Sequence, residues 1–320
     1  MQIGVFTALF QNLPFAEALD KAVAAGVTAV EIGAGGYPGS QHCPVDELLA
    51  SEAKREEYLA AIHSRGLILS ALSVHNNPLH PNQVVAAEAD TVIRKAVRLA
   101  GLLGVPVVNG FSGLPAGAPG DKMPNWVTCP WPPDFLEMLD YQWNQVAIPY
   151  WQDAGQYIAD QGVKFAFEMH PGMLVYNVET MLKLRDAVGP VLGCNFDPSH
   201  LFWNGVDVVA AIRKLGGAIY HVHGKDCYVD NLNVAVNGCN DNKPYDQILN
   251  RAWTFRSIGY GHDAQVWKDI VSALRLVGYD YVISIEHEDA LMSTDEGLAK
   301  GVAMLKQVNI FEQPGEMFWA

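Results

Sequence analysis

The sequence predicts an α/β fold, a single (β/α)8 TIM barrel with long loops at the C-terminal ends of its strands. Eight short β-rich runs occur along the chain, and a longer stretch with helical periodicity follows each one. Alternation of this kind indicates parallel strands joined by helices. A length of 320 residues is normal for a barrel of eight such units. No linker divides the sequence, so residues 1–320 are expected to form one domain.

Each predicted strand is rich in β-branched, aromatic or small apolar residues. Helical patterns fill the stretches between them, as in FAEALDKAVAAG at 15–26. An open doubly wound sheet is the alternative, but no G-x-G-x-x-G follows the first run. Five helical stretches end at a glycine where a left-handed cap is expected, namely Gly26, Gly66, Gly104, Gly162 and Gly278. The predicted strands are 3–9, 28–34, 67–74, 105–111, 163–170, 191–200, 218–226 and 281–289.

The composition is that of an acidic globular protein. Half of the residues are hydrophobic, 18% are charged, and the formal net charge is −14. A nucleic-acid surface needs clustered Lys and Arg, so no nucleic-acid partner is expected. Five cysteines without a C-x-x-C pair indicate reduced thiols and a cytoplasmic location. No apolar run approaches the roughly 20 residues of a membrane span, and no basic leader precedes the first strand, so neither a membrane segment nor a secretion signal is expected.

Two segments are too long for plain connections between a strand and a helix. Residues 114–133 are rich in Pro, Gly and Trp, and residues 225–261 are rich in Asn and Asp. Both follow the C-terminal end of a predicted strand, and barrel active sites are built at that face. Long loops in compact domains commonly serve as lids or binding loops. We therefore expect both segments to border a functional site.

Polar residues collect at the C-terminal ends of the last four predicted strands. Glu168 ends the fifth strand, Asp197 the sixth, His223 the seventh and Glu286 the eighth. Three carboxylates at one rim would repel one another unless a cation lay between them. The sequence thus predicts one divalent metal ion. A set of oxygen ligands with one imidazole and no thiolate favours Mn²⁺ or Mg²⁺, with Co²⁺ or Zn²⁺ as substitutes.

Strand alternation chooses between neighbouring polar residues. His221 and His223 are two residues apart and share a side of their strand, with His223 nearer the rim. We therefore predict His223 as the ligand and His221 as a residue that either supports the ligands or belongs to the core. Glu286 ends an apolar run and is predicted inside its strand, whereas Glu288 is predicted to lie in the following loop.

Four motifs at these strand ends, FEMHPG, NFDPSH, HVHGKD and SIEHED, resemble the xylose-isomerase-like TIM-barrel superfamily. That superfamily contains sugar isomerases, ketose 3-epimerases, inosose-processing enzymes and endonuclease IV. The resemblance covers nearly the whole chain. It implies that Glu168, Asp197, His223 and Glu286 coordinate the metal and that the two glutamates are the catalytic acid and base. It also implies that His200 contacts a substrate hydroxyl.

The chain departs from the ketose 3-epimerases within that superfamily. Those enzymes tend to carry a Glu six residues after the glutamate of the fifth strand and an Arg six residues after the metal histidine. The corresponding positions here are Leu174 and Val229. The chain is more similar to sugar phosphate isomerase/epimerase-type proteins and to the catalytic subunits of C-glycoside deglycosidases.

The predicted function is metal-dependent isomerisation or epimerisation, by removal of a proton next to a carbonyl of a sugar, ketosugar or inosose. The alternative is a metal-dependent lyase that expels a group from the β-carbon, as a deglycosidase subunit or an inosose dehydratase would. A nuclease similar to endonuclease IV is a third reading, but the net charge of −14 argues against a basic DNA-binding rim.

Further polar and aromatic residues on the same face are candidates for contact with a carbohydrate or glycoside. Tryptophans offer flat apolar surfaces on which a sugar or an aglycone stacks. We expect a homo-oligomer, or a hetero-oligomer if the chain is a deglycosidase subunit. The candidates besides His200 are His170, Arg256, His75, Asn109, Lys225, Asp226 and Glu31, with Trp126, Trp131, Trp203 and Trp253 as stacking surfaces.

Overall fold

A computed structural model describes residues 1–319, and eight parallel strands in it close into a barrel. Each strand pairs with the next one along the chain, and the last pairs with the first, so the barrel sheet has no free edge. The predicted (β/α)8 TIM barrel is confirmed. The barrel strands are β1 Gln2–Phe6, β2 Ala29–Gly33, β3 Ile68–Ser73, β4 Val107–Gly110, β5 Lys164–Glu168, β6 Leu192–Phe196, β7 Ile219–Gly224 and β10 Val282–Ile285.

Helices between the strands cover the outside of the barrel. Each of the five glycines predicted as caps has a positive φ, between 69° and 83°. A residue with a Cβ is strained in that conformation, which explains glycine at these turns. Within residues 1–319, no helix is long and apolar enough to cross a membrane. The helices are α1 Phe15–Ala25, α2 Val45–Ala50, α3 Glu52–His63, α4 Gln83–Leu103, α5 Asp134–Asp140, α6 Ile148–Asp160, α7 Val178–Val188, α8 Ser199–Phe202, α9 Val208–Leu215, α10 Asn231–Asn237, α11 Ala264–Leu276 and α12 Thr294–Val308.

The main apolar core lies between the barrel and its helices. Trp151 of α6 packs against Phe165 and Phe167 of β5, with ring centroids 5.2 and 4.6 Å apart. The inside of the barrel, in contrast, contains a polar layer. His221 is fully buried there, with its Nδ1 3.2 Å from Asn195 Oδ1 and its Nε2 3.3 Å from Ser70 Oγ. Because buried polar groups need hydrogen-bond partners, this layer supports further polar side chains above it.

The sequence predicted residues 225–261 to be a long loop. In the structure this segment contains a small antiparallel sheet. Its strands are β8 Asp226–Val229 and β9 Trp253–Arg256. Trp253 stacks on Trp203 at 4.7 Å between nearly parallel rings, and both side chains are buried. These two tryptophans form the core of this inserted sheet, and their role as stacking surfaces for a substrate stays a prediction. In residues 114–133, the described regular structure is one isolated bridge between Ala116 and Pro124.

Candidate metal centre and active site

The barrel brings together the four side chains predicted to bind metal. Glu168 is the last residue of β5, Asp197 follows β6 and His223 lies in β7. Glu286 follows β10 directly, so it lies just outside the strand predicted to contain it, but its backbone N–H still donates to Gly224 of β7 at 3.3 Å. Each of the four offers a ligand atom, and these atoms lie within 4.8 Å of one another. Their role as ligands stays a prediction.

The donor atoms of this cluster fit a hard divalent cation. His223 Nδ1 lies 3.1 Å from Glu286 Oε2, 3.3 Å from Glu168 Oε2 and 4.0 Å from Asp197 Oδ2. Both atoms, His223 Nδ1 and Asp197 Oδ2, are buried, and their close polar neighbours do not form well-directed hydrogen bonds with them. Buried polar atoms are normally satisfied, and three carboxylates beside one imidazole match the ligand preference of Mn²⁺ or Mg²⁺. These residues therefore suit the ion that the sequence predicts.

Histidines hold Glu168 from both sides. His75 Nε2 lies 2.9 Å from its Oε2, and His200 Nε2 lies 2.9 Å from its Oε1. Burial raises the pKa of Glu168, but the neighbouring His200, His223 and His75 outweigh this effect and hold the pKa well below its usual range. Glu168 is thus a fixed carboxylate, as metal coordination requires.

Lys225 lies among the carboxylates rather than free in the pocket. Its Nζ is 2.6 Å from Glu286 Oε2, and it is 3.0 Å from both Asp197 Oδ2 and Glu288 Oε2. Burial raises the pKa of Glu286, whereas Lys225 and His223 lower it more strongly, to about 2. Lys225 was predicted as a substrate contact, and that role stays a prediction. In the structure, Lys225 forms ion pairs with two of the four predicted metal ligands, Asp197 and Glu286.

Two cavities with shared wall residues lie above the cluster. The inner one is polar and has a volume of about 260 Å³, with Glu168, Glu286, His75 and Lys225 in its wall. The outer one has a volume of about 560 Å³ and a mainly apolar wall, to which Phe255 and Ile248 contribute. Tyr37, Phe111, His170 and Glu288 border both cavities. Pockets of this size hold small molecules, with the few polar groups setting their orientation.

The family model described as "Xylose isomerase-like TIM barrel" matches residues 19–308. The chain belongs to this family. The uncharacterized protein YfiH of Bacillus subtilis (strain 168) is 43% identical over 310 residues, which cover 96% of this chain and 99% of YfiH.

Solved structures share the same barrel at low sequence identity. The probable 3-DHS dehydratase AsbF from Bacillus anthracis has a TM-score of 0.66 at 16% identity, covering 96% of this chain and 99% of AsbF. A D-tagatose 3-epimerase-like protein has a TM-score of 0.64 at 21% identity, covering 96% and 97% of the two chains. At these identities the likeness concerns the fold.

Three residues predicted to contact substrate, Asn109, Asp226 and Arg256, line neither of the two cavities of this xylose isomerase-like barrel. Asn109 is fully buried inside the barrel, where its Nδ2 donates to Glu31 Oε1 at 2.9 Å. Asp226 is fully buried in β8 and accepts hydrogen bonds from backbone N–H groups of the segment before α11. Arg256 Nε donates to Asp289 Oδ2 at 3.1 Å, and Arg256 lines neither cavity. Each side chain is occupied by a partner within the protein.

His170 borders the cavities, whereas His200 is buried behind it and lines neither cavity, and their contact with a substrate stays a prediction. Their ring centroids are 4.2 Å apart, and His170 borders both cavities. Burial lowers the pKa of His170 to about 3, and the neighbouring His200 adds to this effect, so His170 is neutral near pH 7. A neutral imidazole both donates and accepts hydrogen bonds, as a sugar hydroxyl requires.

The sequence interpretation missed the position of Glu31 and the contributions of Tyr37, Phe111 and Glu288. Glu31 was expected to contact a sugar, but it is fully buried in β2 below the metal cluster. A signal for this was present, since Glu31 is the one charged residue of the otherwise apolar strand AVEIG. Charged residues in such a position are rarely buried without a partner. Tyr37 and Phe111 carried no comparable signal.

Proposed function

We propose that this chain is a divalent-metal-dependent sugar isomerase or epimerase that moves a proton on a carbon next to a carbonyl of a sugar, ketosugar or inosose. One observation carries the proposal. Glu168 and Glu286, from different strands, lie 3.3 and 3.1 Å from the same His223 Nδ1 at the polar cavity. Family membership supports an enzyme of the sugar isomerase and epimerase kind.

The ion would be held by Glu168, Asp197, His223 and Glu286, and Mn²⁺ is our proposal for its identity. A divalent cation bound there would polarise the substrate carbonyl and make the neighbouring C–H more acidic. This help matters because carboxylates with lowered pKa values are weak bases. Glu168, Asp197 and His223 are buried, which limits the access of water to the reacting groups.

The protein's own groups then transfer the proton. One of Glu168 and Glu286 removes it, and the other donates or returns one. Return to the opposite face of the same carbon gives the epimer, whereas delivery to the neighbouring carbon gives the isomer. His75 and His200 keep Glu168 in place by hydrogen bonds at 2.9 Å, and His170 is placed to contact a substrate hydroxyl. Lys225 compensates part of the negative charge.

A second candidate is a lyase that uses the same proton abstraction and then expels a substituent from the β-carbon. The apolar outer cavity of about 560 Å³ favours it, because a free monosaccharide is polar over most of its surface. An apolar substituent, such as the aglycone of a glycoside, would fill this space. AsbF, which shares the barrel, is described as a probable dehydratase, and dehydratases also catalyse an elimination.

Exchange in D₂O tests the proposal and separates its two versions. The protein loaded with Mn²⁺ is incubated with a panel of ketoses, inososes and 3-keto-glycosides, and each sugar is analysed by NMR and mass spectrometry. Deuterium on the carbon next to the carbonyl is the expected result. Free aglycone or an unsaturated sugar would identify the lyase. A metal-loaded protein that exchanges no proton in any member of the panel would overturn the proposal.

A further inference from the structure

Glu31 is a carboxylate enclosed inside the barrel. It lies in β2, and its side chain is fully buried. Ser73 Oγ donates to its Oε1 at 2.5 Å, and Asn109 Nδ2 donates to the same oxygen at 2.9 Å. Neither a lysine nor an arginine is among its hydrogen-bond or ion-pair partners in the described residues. A buried carboxylate without a cationic partner is costly, so a specific partner is expected.

That partner is His223. Both oxygens of Glu31 lie 3.1 Å from His223 Nε2. The opposite ring nitrogen, Nδ1, faces Glu168 and Glu286 at 3.3 and 3.1 Å. The ring therefore connects the buried carboxylate on one side to the metal cluster on the other. Phe6 stacks on the same ring at a centroid distance of 5.9 Å and limits its rotation.

We infer that Glu31 is a positioning residue, which keeps the proton of His223 on Nε2 and so presents the lone pair of Nδ1 to the metal. This inference rests on the metal site of the proposed function. A carboxylate is an acceptor only, so it selects the tautomer with an Nε2–H. Carboxylate partners of this kind orient metal-binding histidines and make their free nitrogen more basic.

The side-chain amide of Asn195 is compatible with a proton on His223 Nε2 if the amide is turned so that its oxygen faces this nitrogen. Its Nδ2 lies 3.1 Å from His223 Nε2. In the opposite tautomer this amide would donate to Nε2, but the lone pair of Nε2 would then face both oxygens of Glu31, with no cation between them such as the proposed metal ion would supply at Nδ1. A lone pair that faces a buried carboxylate is costly. Turning the Asn195 amide by 180° costs less, because its oxygen and nitrogen have nearly the same shape.

Glu31 and the two histidines could also form a second metal site, and this alternative has to be distinguished from a positioning role of Glu31. Ligand atoms of Glu31, His221 and His223 also lie within 4.8 Å of one another. Yet Glu31 is already bonded to Ser73 and Asn109, and both nitrogens of His221 have polar neighbours. Ligand atoms without a well-directed hydrogen bond occur in the upper cluster, at His223 Nδ1 and Asp197 Oδ2, whereas the ligand atoms of the lower set have hydrogen-bond partners. We therefore place one ion above His223 and none below it.

The test compares Mn²⁺ affinity of the wild-type protein and Glu31→Gln by calorimetry and by competition with a chelator. An amide keeps the shape but removes the charge, so Mn²⁺ should bind about 10- to 100-fold more weakly, with one ion per chain retained. Ser73→Ala is the matched control, because it removes one hydrogen bond to Glu31 and leaves the contact with His223. It should change the affinity by less than about threefold, a loss smaller than that expected for an orienting partner.

Two outcomes of this comparison would overturn the inference. Unchanged Mn²⁺ affinity in a folded Glu31→Gln protein would mean that Glu31 has no positioning role. A fall from two ions per chain to one would make Glu31 a ligand itself. A wild-type protein that binds no divalent ion at all would instead refute the metal site of the proposed function.

A measurement on the wild-type protein keeps the inference testable if Glu31→Gln does not fold. ¹⁵N NMR of the protein loaded with diamagnetic Zn²⁺ reports which nitrogen of His223 carries the proton. The expected pattern is a protonated Nε2 and a Nδ1 shifted by the metal. The reverse pattern, with the metal on Nε2, would contradict the role assigned to Glu31.

Discussion

Glu168 and Glu286 carry the same chemical group in different surroundings. Histidines lie 2.9 Å from each oxygen of Glu168, and its side chain is 3% exposed. The Glu286 side chain is 18% exposed, and Lys225 lies 2.6 Å from one of its oxygens. Hydrogen bonds to an ionised carboxylate restrict its movement and favour its charged form. Glu286 is therefore the more accessible of the two from the polar cavity, and Glu168 is the more firmly held.

Replacement of either glutamate by glutamine tests their catalytic role. Glu168→Gln and Glu286→Gln keep an oxygen ligand and nearly the same shape, but they remove the base. Each variant should retain at least part of the metal and lose turnover on the order of 10²-fold or more. Metal analysis and steady-state kinetics check this, and D₂O exchange separates the roles, since loss of the abstracting base stops exchange.

Normal turnover in both metal-loaded glutamine variants would contradict the two-glutamate mechanism. His200 and His170 would then be the next candidates, because they lie together beside Glu168.

At the scale of elements, Asp226 fastens the inserted hairpin to the barrel. Its Oδ2 accepts from the backbone N–H groups of Gly259, Gly261 and His262 at 3.0 to 3.2 Å. Trp267 of α11 donates its indole N–H to the same oxygen at 3.1 Å. One carboxylate thus joins β8, the segment after β9 and helix α11. Because Lys225 precedes Asp226, the same anchor places Lys225 among the ligand carboxylates.

Asp226→Asn should loosen this junction. The single amide oxygen can replace Oδ2, but the NH₂ group then faces the buried N–H of Cys227, which donates to Oδ1 at 2.8 Å. A buried donor left without an acceptor costs about 1–3 kcal/mol. We expect the free energy of unfolding to fall by at least about 2 kcal/mol in urea titrations. Asp20→Asn is the control, since Asp20 is in an exposed ion pair with Arg65, and it should leave stability nearly unchanged. Equal stability of Asp226→Asn and the wild type would contradict the anchoring role.

At the scale of the whole molecule, the metal cluster closes one end of the barrel. Its members come from β5, β6, β7 and β10, which are consecutive neighbours in the sheet. In the unfolded chain these residues are far apart, so a preformed site exists in the folded state only. A ligand that binds the folded state alone stabilises it by mass action.

Metal should therefore raise the stability of the whole barrel. At a Mn²⁺ concentration about 100 times Kd, the gain is about 2.7 kcal/mol, and chelation should lower the Tm accordingly. Asp197→Ala and His223→Ala each remove a predicted ligand, so both should lower metal occupancy and shrink the Tm difference between metal-loaded and chelated protein. Calorimetry with and without a chelator measures this. A wild-type Tm that does not respond to any of Mn²⁺, Mg²⁺, Co²⁺ and Zn²⁺ would argue against the site.

Local patterns explain why the barrel was predictable. All eight predicted strands are present, and the five predicted cap glycines have positive φ. Alternation of apolar runs and helical stretches, like a glycine at a helix end, depends on a few neighbouring residues. The hairpin of β8 and β9 was missed because its strands have four residues each and pair across a long Asn-rich segment. Their pairing is stabilised by contact with Trp203, which is distant in sequence.

By itself, the sequence determined the order of strands and helices and the polar residues at four strand ends, which the structure gathers within 4.8 Å. Only the tertiary structure decided that Glu31 lies below His223 and that Asp226 faces away from the cavities. Alternation assigns a side chain to one side of its strand, but its height in the barrel depends on register between strands. The register of β2 and β3 shifts between Val30 and Glu31, an irregularity that arises from their pairing and is encoded in neither strand alone.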